Sequence, residues 1–488
     1  MNKFFVGISC LFFSATALTA QTNSNWKGVF EKINTEVQTN SKAYITLKDA
    51  SEKIGHRLTG SVNGKKAEEY AYNLFKSYGF KVKYQAFEVE SWSRGTIKTR
   101  VGTESNLIEV KSVSLAHSPV SSDVTAGLVD MGNGLEEDYL NDPDRVKGKM
   151  ALVYLGILPG SNVGAKNLHR SEKTALATKN GAAGIIIFNT VPGGVLLTGT
   201  ASVTGKLIPI PAVCIGLEDG MRLKELMQKE PLQAAVSMTN FSGLIKARNV
   251  IATLKGSELE KEKIVVGGHL DSWDLATGAI DNGIGSFSIM DMARTFGVLE
   301  LKPKRNIEFV MFMGEEQGLL GSKAYIEKAI KDGSLNQVRY MLNYDMSNDP
   351  KGFSSSSADS KELFQEIGSM ATAIDTSFKN LFSSGAGLHS DHQPFMLHGV
   401  PTGGAAGGKL PNNSGRCYHA DCDSFDLVDE QGMKNTVRFN SMLLYGLADT
   451  KEIAAKRLTD LQTRDFLMKN NLKEALEIAG EWRWKETE

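Results

Sequence analysis

The second half of the chain alternates short apolar runs with amphipathic segments. Residues 287–296 repeat apolar positions at the spacing of one helix face, and residues 65–79 do the same further upstream. Runs of another kind are apolar almost throughout, as is typical of strands that are covered on both faces. These runs are residues 250–254, 263–269, 306–314 and 338–345. Together the two patterns predict an α/β fold in which helices cover both faces of a sheet.

The pattern changes in the middle of the chain, where short strand-like runs are joined by Gly-rich loops with few charges. We therefore predict a small β-rich domain at residues 118–241, because compact insertions are tolerated at exposed loops. It would interrupt a larger domain made of residues 21–117 and 242–450. The alternative is that the middle segment simply continues the main sheet. Residues 451–488 predict a charged, amphipathic helical tail.

The chain begins like a secretory signal peptide. Lys3 precedes an apolar run from Phe4 to Phe13, and small residues follow as far as Ala20. The apolar run is much shorter than the ~20 residues that span a bilayer. We predict that residues 1–20 are a signal peptide, that no stable membrane span remains after cleavage, and that the protein is exported across the inner membrane to the periplasm or beyond. An uncleaved anchor is the alternative.

Composition and charge narrow the range of partners. The 488 residues carry 55 Lys and Arg against 56 Asp and Glu, a net charge of −1. Such a balance gives no long-range field that would gather phosphate backbones, so nucleic acid is not expected as a partner. The chain also lacks G-x-S-x-G and H-E-x-x-H, which argues against a serine hydrolase and a single-zinc protease of that type.

Residues that could bind metal or transfer protons are concentrated where the apolar strands end. His269, Asp345 and the pair Glu315–Glu316 each close or follow such a run, and Asp281 stands before the next helix. Ligands of open α/β sheets gather beyond the carboxyl ends of strands, and His and carboxylates are metal ligands. Two divalent ions need a bridging carboxylate and terminal ligands, while a further Glu can move protons. Taken singly, Asp281 could be a helix cap and the Glu pair a solvated helix start.

A further ligand is expected from the remaining histidines. His419 lies between Cys417 and Cys422, and a disulfide between these cysteines would present it rigidly. Two free thiols, or cysteines that bind zinc themselves, are the alternatives. His392, with Asp391 beside it, lies in a loop that could line the pocket.

Several segments, in order and spacing, resemble the secreted co-catalytic zinc exopeptidases, which include di-zinc bacterial aminopeptidases and plasma glutamate carboxypeptidase. They are GGHLDSWDLATGAIDNGIG, FMGEEQGLLGS, NYDM, SDHQPF and YHADCDSFD. The middle domain resembles a protease-associated domain, which makes the carboxypeptidase Q-like branch the more similar one. The resemblance implies a three-layer α/β sandwich around a mixed, mostly parallel sheet, with the protease-associated domain inserted.

The resemblance also implies two zinc ions per chain. His269 and Asp345 would bind one ion. Glu316 and His419 would bind the other, and Asp281 would bridge the two.

Catalytic roles follow from the same resemblance. Glu315 would be the general base, and Asp271 would hold His269 in place. The implied activity is hydrolysis of dipeptides or short peptides that have a free N-terminus. A carboxypeptidase at the same site is the alternative, and an inactive peptide-binding module is a minor one. An enzyme of this type can also form a homodimer.

The direction of cleavage depends on which groups anchor the ends of the substrate. A terminal carboxylate needs cations or N–H donors, for which Arg416 and Lys409 are candidates. A free amine needs an acidic group, for which Asp423 and Asp426 are candidates, although both could make structural bonds instead.

Overall fold

A computed structural model describes residues 19–484, with side chains from Trp26 onward. The predicted signal peptide lies outside the described residues, except for its last two. The strands are β1 Lys81–Thr103, β2 Asn106–Val110, β3 Ser112–Ser114, β4 Ser121–Asp130, β5 Met150–Tyr154, β6 Gly184–Phe188, β7 Ala212–Ile215, β8 Gln233–Leu254, β9 Leu259–His269, β10 Arg305–Phe312, β11 Val338–Asn343, β12 Gly352–Ser355, β13 Leu381–Ser384 and β14 Thr402–Ala406.

The helices surround these strands. They are α1 Thr19–Asn40, α2 Ala43–Lys53, α3 Val62–Ser77, α4 Glu136–Leu140, α5 Arg170–Lys179, α6 Leu217–Met227, α7 Ile284–Val298, α8 Leu320–Lys331, α9 Lys361–Ile374, α10 His392–Leu397, α11 Glu430–Asp449, α12 Asp460–Lys469 and α13 Lys473–Ile478. Among the described residues, none of these helices is both long and apolar enough to cross a bilayer.

The larger domain is built on a mixed sheet with the order β13-β12-β14-β11-β9-β10-β8-β1. Strands β10, β9, β11 and β14 are parallel neighbours, and β8 pairs with β10 in the antiparallel sense. All four apolar runs predicted as strands lie in β8, β9, β10 and β11. Parallel neighbours end at the same edge of the sheet, so their polar ends meet there.

Helices cover this sheet on both faces, as the apolar runs predicted. Ile264 and Val266 of β9 pack in a core shared with α1, α2, α7 and α11. Val265, between them, points to the opposite core, where it meets Tyr325 of α8 and Phe395 of α10. Alternate side chains of one strand are thus buried on opposite faces, because successive side chains point to opposite sides of a sheet. The result is the predicted three-layer α/β sandwich.

The middle of the chain forms a second group of strands, in the order β4-β5-β6-β7-β3. Strands β4 to β7 are parallel and β3 is antiparallel to β7. Ile186 and Phe188 of β6 face one core, whereas Ile185 and Ile187 face the other. The segment also contains α4, α5 and α6, so it is less purely β than the sequence suggested.

Two long strands connect the two groups. Strand β1 runs from Lys81 to Thr103, and β8 is almost as long. They pair with each other from Lys81 to Gly102 of β1, and the first part of β8 also pairs with β4. This β1–β8 ribbon runs from the larger sheet into the middle strands, a pairing that no local pattern announces.

Candidate metal centre

The predicted site residues converge at the carboxyl edge of the larger sheet. His269 is the last residue of β9, Asp345 follows β11, and Glu316 follows the adjacent β10. Asp281 comes from the turn before α7, and His419 comes from the loop before α11. Four of the five are buried, with no more than 6% of the residue exposed. The Asp345 side chain is 23% exposed.

Asp281 lies between two groups of donors. Its Oδ1 is 3.2 Å from Nε2 of His269, and its Oδ2 is 3.0 Å from Nε2 of His419. The same nitrogen of His269 is 3.4 Å from Oδ1 of Asp345. The same nitrogen of His419 is 3.0 Å from Oε2 of Glu316. One carboxylate therefore faces two His–carboxylate pairs, one with each oxygen.

The chemistry of this cluster fits divalent cations. Ligand atoms of His269, Asp281 and Glu316 all lie within 4.8 Å of one another. Oε1 of Glu316 is buried and has no hydrogen-bond partner among the described residues. Buried carboxylates gathered around imidazole nitrogens need compensating positive charge, and metal ions supply it.

A set of neighbouring groups orients His269 and Asp345. Nδ1 of His269 is 3.1 Å from the backbone oxygen of Asp271 and 3.7 Å from its carboxylate, so the carbonyl makes the closer contact. A proton on Nδ1 leaves the lone pair on Nε2, the atom that faces the cluster. Ser390 donates to Oδ2 of Asp345 at 2.7 Å and accepts from Asn343 at 2.7 Å.

Asp423 and Arg57 hold the loops that carry the other acidic groups. Asp423 accepts from the backbone N–H of Ile280 at 2.7 Å and from that of Asp281 at 3.0 Å. It therefore makes structural bonds, one of the two roles that the sequence allowed. Arg57 is fully buried and donates to three backbone carbonyls. They belong to Leu270, Thr277 and Gly278.

Glu315 lies beside the donors that surround Asp281 but is not one of them. Its backbone N–H donates to Oδ1 of Asp271 at 3.3 Å, and its half-buried side chain lines the adjoining cavity. Loss of solvent contact raises the pKa of Glu315 well above its usual range. Within the part of the chain that the structure describes, no side chain donates a hydrogen bond to this carboxylate. Such a carboxylate is available to accept a proton.

His419 is held by three features of its loop. Cys417 and Cys422 form a disulfide on either side of it. The ring of Tyr418 stacks on the imidazole with the ring centres 3.8 Å apart. His419 itself has a φ of +53°, in the left-handed region that few non-Gly residues adopt.

Arg170 also lies against His419, a contact that no motif in the sequence indicated. It is the first residue of α5 in the middle segment, 3% exposed, and its Nη2 is 2.9 Å from Nδ1 of His419. The two residues are 249 positions apart, so no local motif could have joined them.

Gly199 provides the space for Arg170, which gives a testable prediction. A Cβ at Gly199 would lie 1.8 Å from Nη2 of Arg170. We expect Gly199→Ala to push the guanidinium against the imidazole of His419 and, by turning this ligand out of position, to lower metal affinity or activity by about 10- to 100-fold. Gly193→Ala is the matched control, because Gly193 also has positive φ but faces open space. Equal effects of the two substitutions on activity would contradict this role for Arg170.

The residues predicted to anchor or contact the substrate do not all line one cavity. Arg416 is exposed and lines a neighbouring cavity, and Lys409 and Asp426 are exposed as well. His392 lines a cavity next to Asp345, where its Nε2 is 3.0 Å from the backbone oxygen of Gly387. Asp391 is fully buried. Arg416 and Lys409 are thus not brought to the cavity that Glu315 lines.

That cavity adjoins the cluster and has three walls. The ends of the main sheet contribute Glu315, Glu316 and His419, the middle segment contributes Arg170 and Glu172, and further residues come from the end of the chain. Its volume, with the open mouth included, is about 640 Å³.

Two segments of the chain match known protein families. Residues 249–444 match the model of peptidase family M28, and residues 123–223 match the PA domain model. The main sheet from the second part of β8 onward thus lies in the M28 match, and most of the middle strands lie in the PA match. The predicted resemblance is therefore confirmed at the level of family and insert.

Individual relatives agree with this assignment. The chain is 28% identical over 360 residues to a probable leucine aminopeptidase 2 of Arthroderma benhamiae, covering 72% of this chain and 68% of the relative. It is 28% identical over 399 residues to the aminopeptidase YwaD of Bacillus subtilis, covering 80% and 81%.

Solved structures share the fold. A peptidase M28 precursor from Shewanella amazonensis matches with a TM-score of 0.75 at 22% identity, covering 90% of this chain and 100% of that one. An aminopeptidase from Aneurinibacillus sp. strain AM-1 matches with a TM-score of 0.64 at 26% identity, covering 87% and 98%.

Proposed function

We propose that the protein is an exported zinc aminopeptidase that hydrolyses dipeptides or short peptides with a free N-terminus, at a pair of zinc ions. One observation carries the proposal: the two oxygens of Asp281 face His269 and His419 at 3.2 and 3.0 Å. A carboxylate placed in this way is what a two-metal site requires between its ions. The names of the relatives, which include leucine aminopeptidases and a zinc aminopeptidase, support the choice of metal and reaction.

The remaining donors divide into two terminal pairs. His269 and Asp345 would hold one ion, and Glu316 and His419 would hold the other. When bound, two zinc ions lower the pKa of a shared water towards about 7 and polarise the scissile carbonyl. Asp281, Glu316 and Asp345 then serve to fix the positions of the ions, and they are not free to act as bases.

Glu315 is the base in this proposal. It is adjacent to the cluster, lines the cavity and receives no hydrogen bond from a described side chain, so its carboxylate can take a proton from the attacking water. The protonated side chain of Glu315 can then return that proton to the leaving nitrogen. Asp271 positions the residue by accepting its backbone N–H.

The cavity holds an unpartnered acidic group that suits recognition of an amine. Glu172 has a buried oxygen without a hydrogen-bond partner among the described residues. An ammonium group of the substrate would supply the missing charge there. Of the two cations that line the cavity, Lys323 lies 2.7 Å from Glu481, whereas Nε of Arg170 is buried and likewise has no hydrogen-bond partner among the described residues. The carboxypeptidase alternative would use that group of Arg170.

The disulfide in the loop of His419 supports the proposal that the protein is exported. Disulfides persist in oxidising compartments, and Cys417–Cys422 is formed here. With the signal-like N-terminus, this supports a location in the periplasm or outside the cell.

A panel of dipeptides tests the proposed reaction. We expect hydrolysis of unblocked and C-blocked dipeptides, no hydrolysis of N-blocked ones, and loss of activity with a chelator that added zinc restores. Cleavage of N-blocked substrates alone would replace the proposal with the carboxypeptidase alternative. If no peptide is cleaved by the zinc-loaded protein, the protein is a binding module instead.

A further inference from the structure

The C-terminal segment, residues 451–484, returns to the metal centre. It contains α12 and α13, whose Leu467 and Leu476 are fully buried against Met396 and Leu397 of α10. Helix α10 follows Ser390 directly, and Ser390 holds Asp345. The segment therefore packs on the structure that supports the site.

Glu481 fastens the end of this segment. Its Oε1 is 2.7 Å from Nζ of Lys323, and its Oε2 accepts a hydrogen bond from Nε2 of Gln393 at 2.8 Å. Lys323 lies in α8, seven residues after Glu316. Both carboxylate oxygens are thus tied to elements that border the metal centre.

The segment also reaches the PA insert. Ile478 of α13 packs against the core of the insert, whereas Leu476, two residues earlier, packs against α10. Helix α13 consequently spans the gap between the insert and the larger domain. Ala475 of α13 and Ala479, which caps the end of that helix, line the cavity that also contains Glu315 and His419.

We propose that the C-terminal segment forms the wall that limits the length of peptide the site accepts; this rests on the proposed exopeptidase function. Each residue of an extended peptide adds roughly 3.3–3.6 Å. The sheet edge, the insert and α13 enclose the cavity on three sides, so a short substrate fits while a longer one must meet α13. The two alanines leave room for the short substrate, and Glu481 keeps the wall closed.

Substitutions that narrow the cavity at α13, or that loosen the attachment of the C-terminal segment, test the proposal. Alanine peptides of two, three and six residues, all with free termini, serve as substrates, and the ratio of kcat/KM for the hexapeptide to that for the dipeptide is measured. We expect Glu481→Ala, and truncation after Leu458, to raise the ratio by about tenfold or more, and Ala475→Trp to lower it by a similar factor. Glu477→Trp is the matched control, because Glu477 is exposed on the same helix and does not line the cavity.

The outcomes separate this proposal from the proposed function. If the wild type cleaves the dipeptide but the ratio is the same in all folded variants, the length wall is wrong and the exopeptidase stands. Equal ratios for Ala475→Trp and Glu477→Trp would also overturn the wall. If the truncated chain does not fold, as judged by thermal unfolding, the full-length point variants decide. A wild type that cleaves none of the peptides overturns both proposals.

Discussion

Glu315→Gln is expected to lower kcat by about 10²–10⁴-fold while the protein keeps two zinc ions per chain. The amide has nearly the same shape as the carboxylate but cannot accept the proton of the attacking water. Because Glu315 lies beside the donor cluster rather than between its members, its loss should leave the ions in place. The measurements are steady-state hydrolysis of an unblocked dipeptide and zinc analysis of the purified variant.

Glu327→Gln is the control for replacing a glutamate by glutamine outside the site. Glu327 lies on α8, the helix that follows the Glu315–Glu316 pair, and is exposed. We expect it to behave like the wild type in both measurements. Full activity of Glu315→Gln, or the loss of zinc from it, would remove Glu315 from the role of base.

Asp281→Ala is expected to give the opposite pattern, with both zinc ions lost and activity below detection. In the proposed site Asp281 is the only group shared by the two ions, so its removal takes a ligand from each. Zinc content after dialysis against metal-free buffer is the decisive measurement, and added zinc should not restore hydrolysis.

Asp421→Ala is the companion variant. Asp421 lies two residues from His419 but is exposed, so its removal should spare the metal content. An Asp281→Ala protein that still holds two ions would show that the ions are not bridged by this residue.

Much of the fold was predictable because the core strands are apolar throughout. Burial on both faces requires side chains such as Ile264, Val265 and Val266 to be apolar in succession, and this leaves a clear trace in the sequence. The β1–β8 ribbon leaves no such trace. Its register depends on pairing across about 150 residues, and its exposed positions alternate too weakly to mark where the strands end.

The site was predictable to the extent that its residues end strands. His269 and Asp345 follow apolar runs, so parallel pairing brings them together without further information. Arg170 and Glu481 belong to elements that reach the cavity only through tertiary packing, and neither stands in a motif. Arg416 lines a neighbouring cavity rather than the one that Glu315 lines, because closeness in sequence to His419 does not decide on which side of its loop a side chain lies.

The β1–β8 ribbon has a consequence for the engineering of this protein. A domain tethered by flexible linkers can be excised or exchanged, but here the two crossing points lie inside a long ladder of backbone hydrogen bonds, which has one register shift between Arg94 and Ile97. Near the middle of that ladder Trp92 pairs with Ser242, and its indole is almost fully buried. A graft of another PA domain would have to preserve strand register and twist on both sides of the splice, or the edge of the larger sheet would be left frayed.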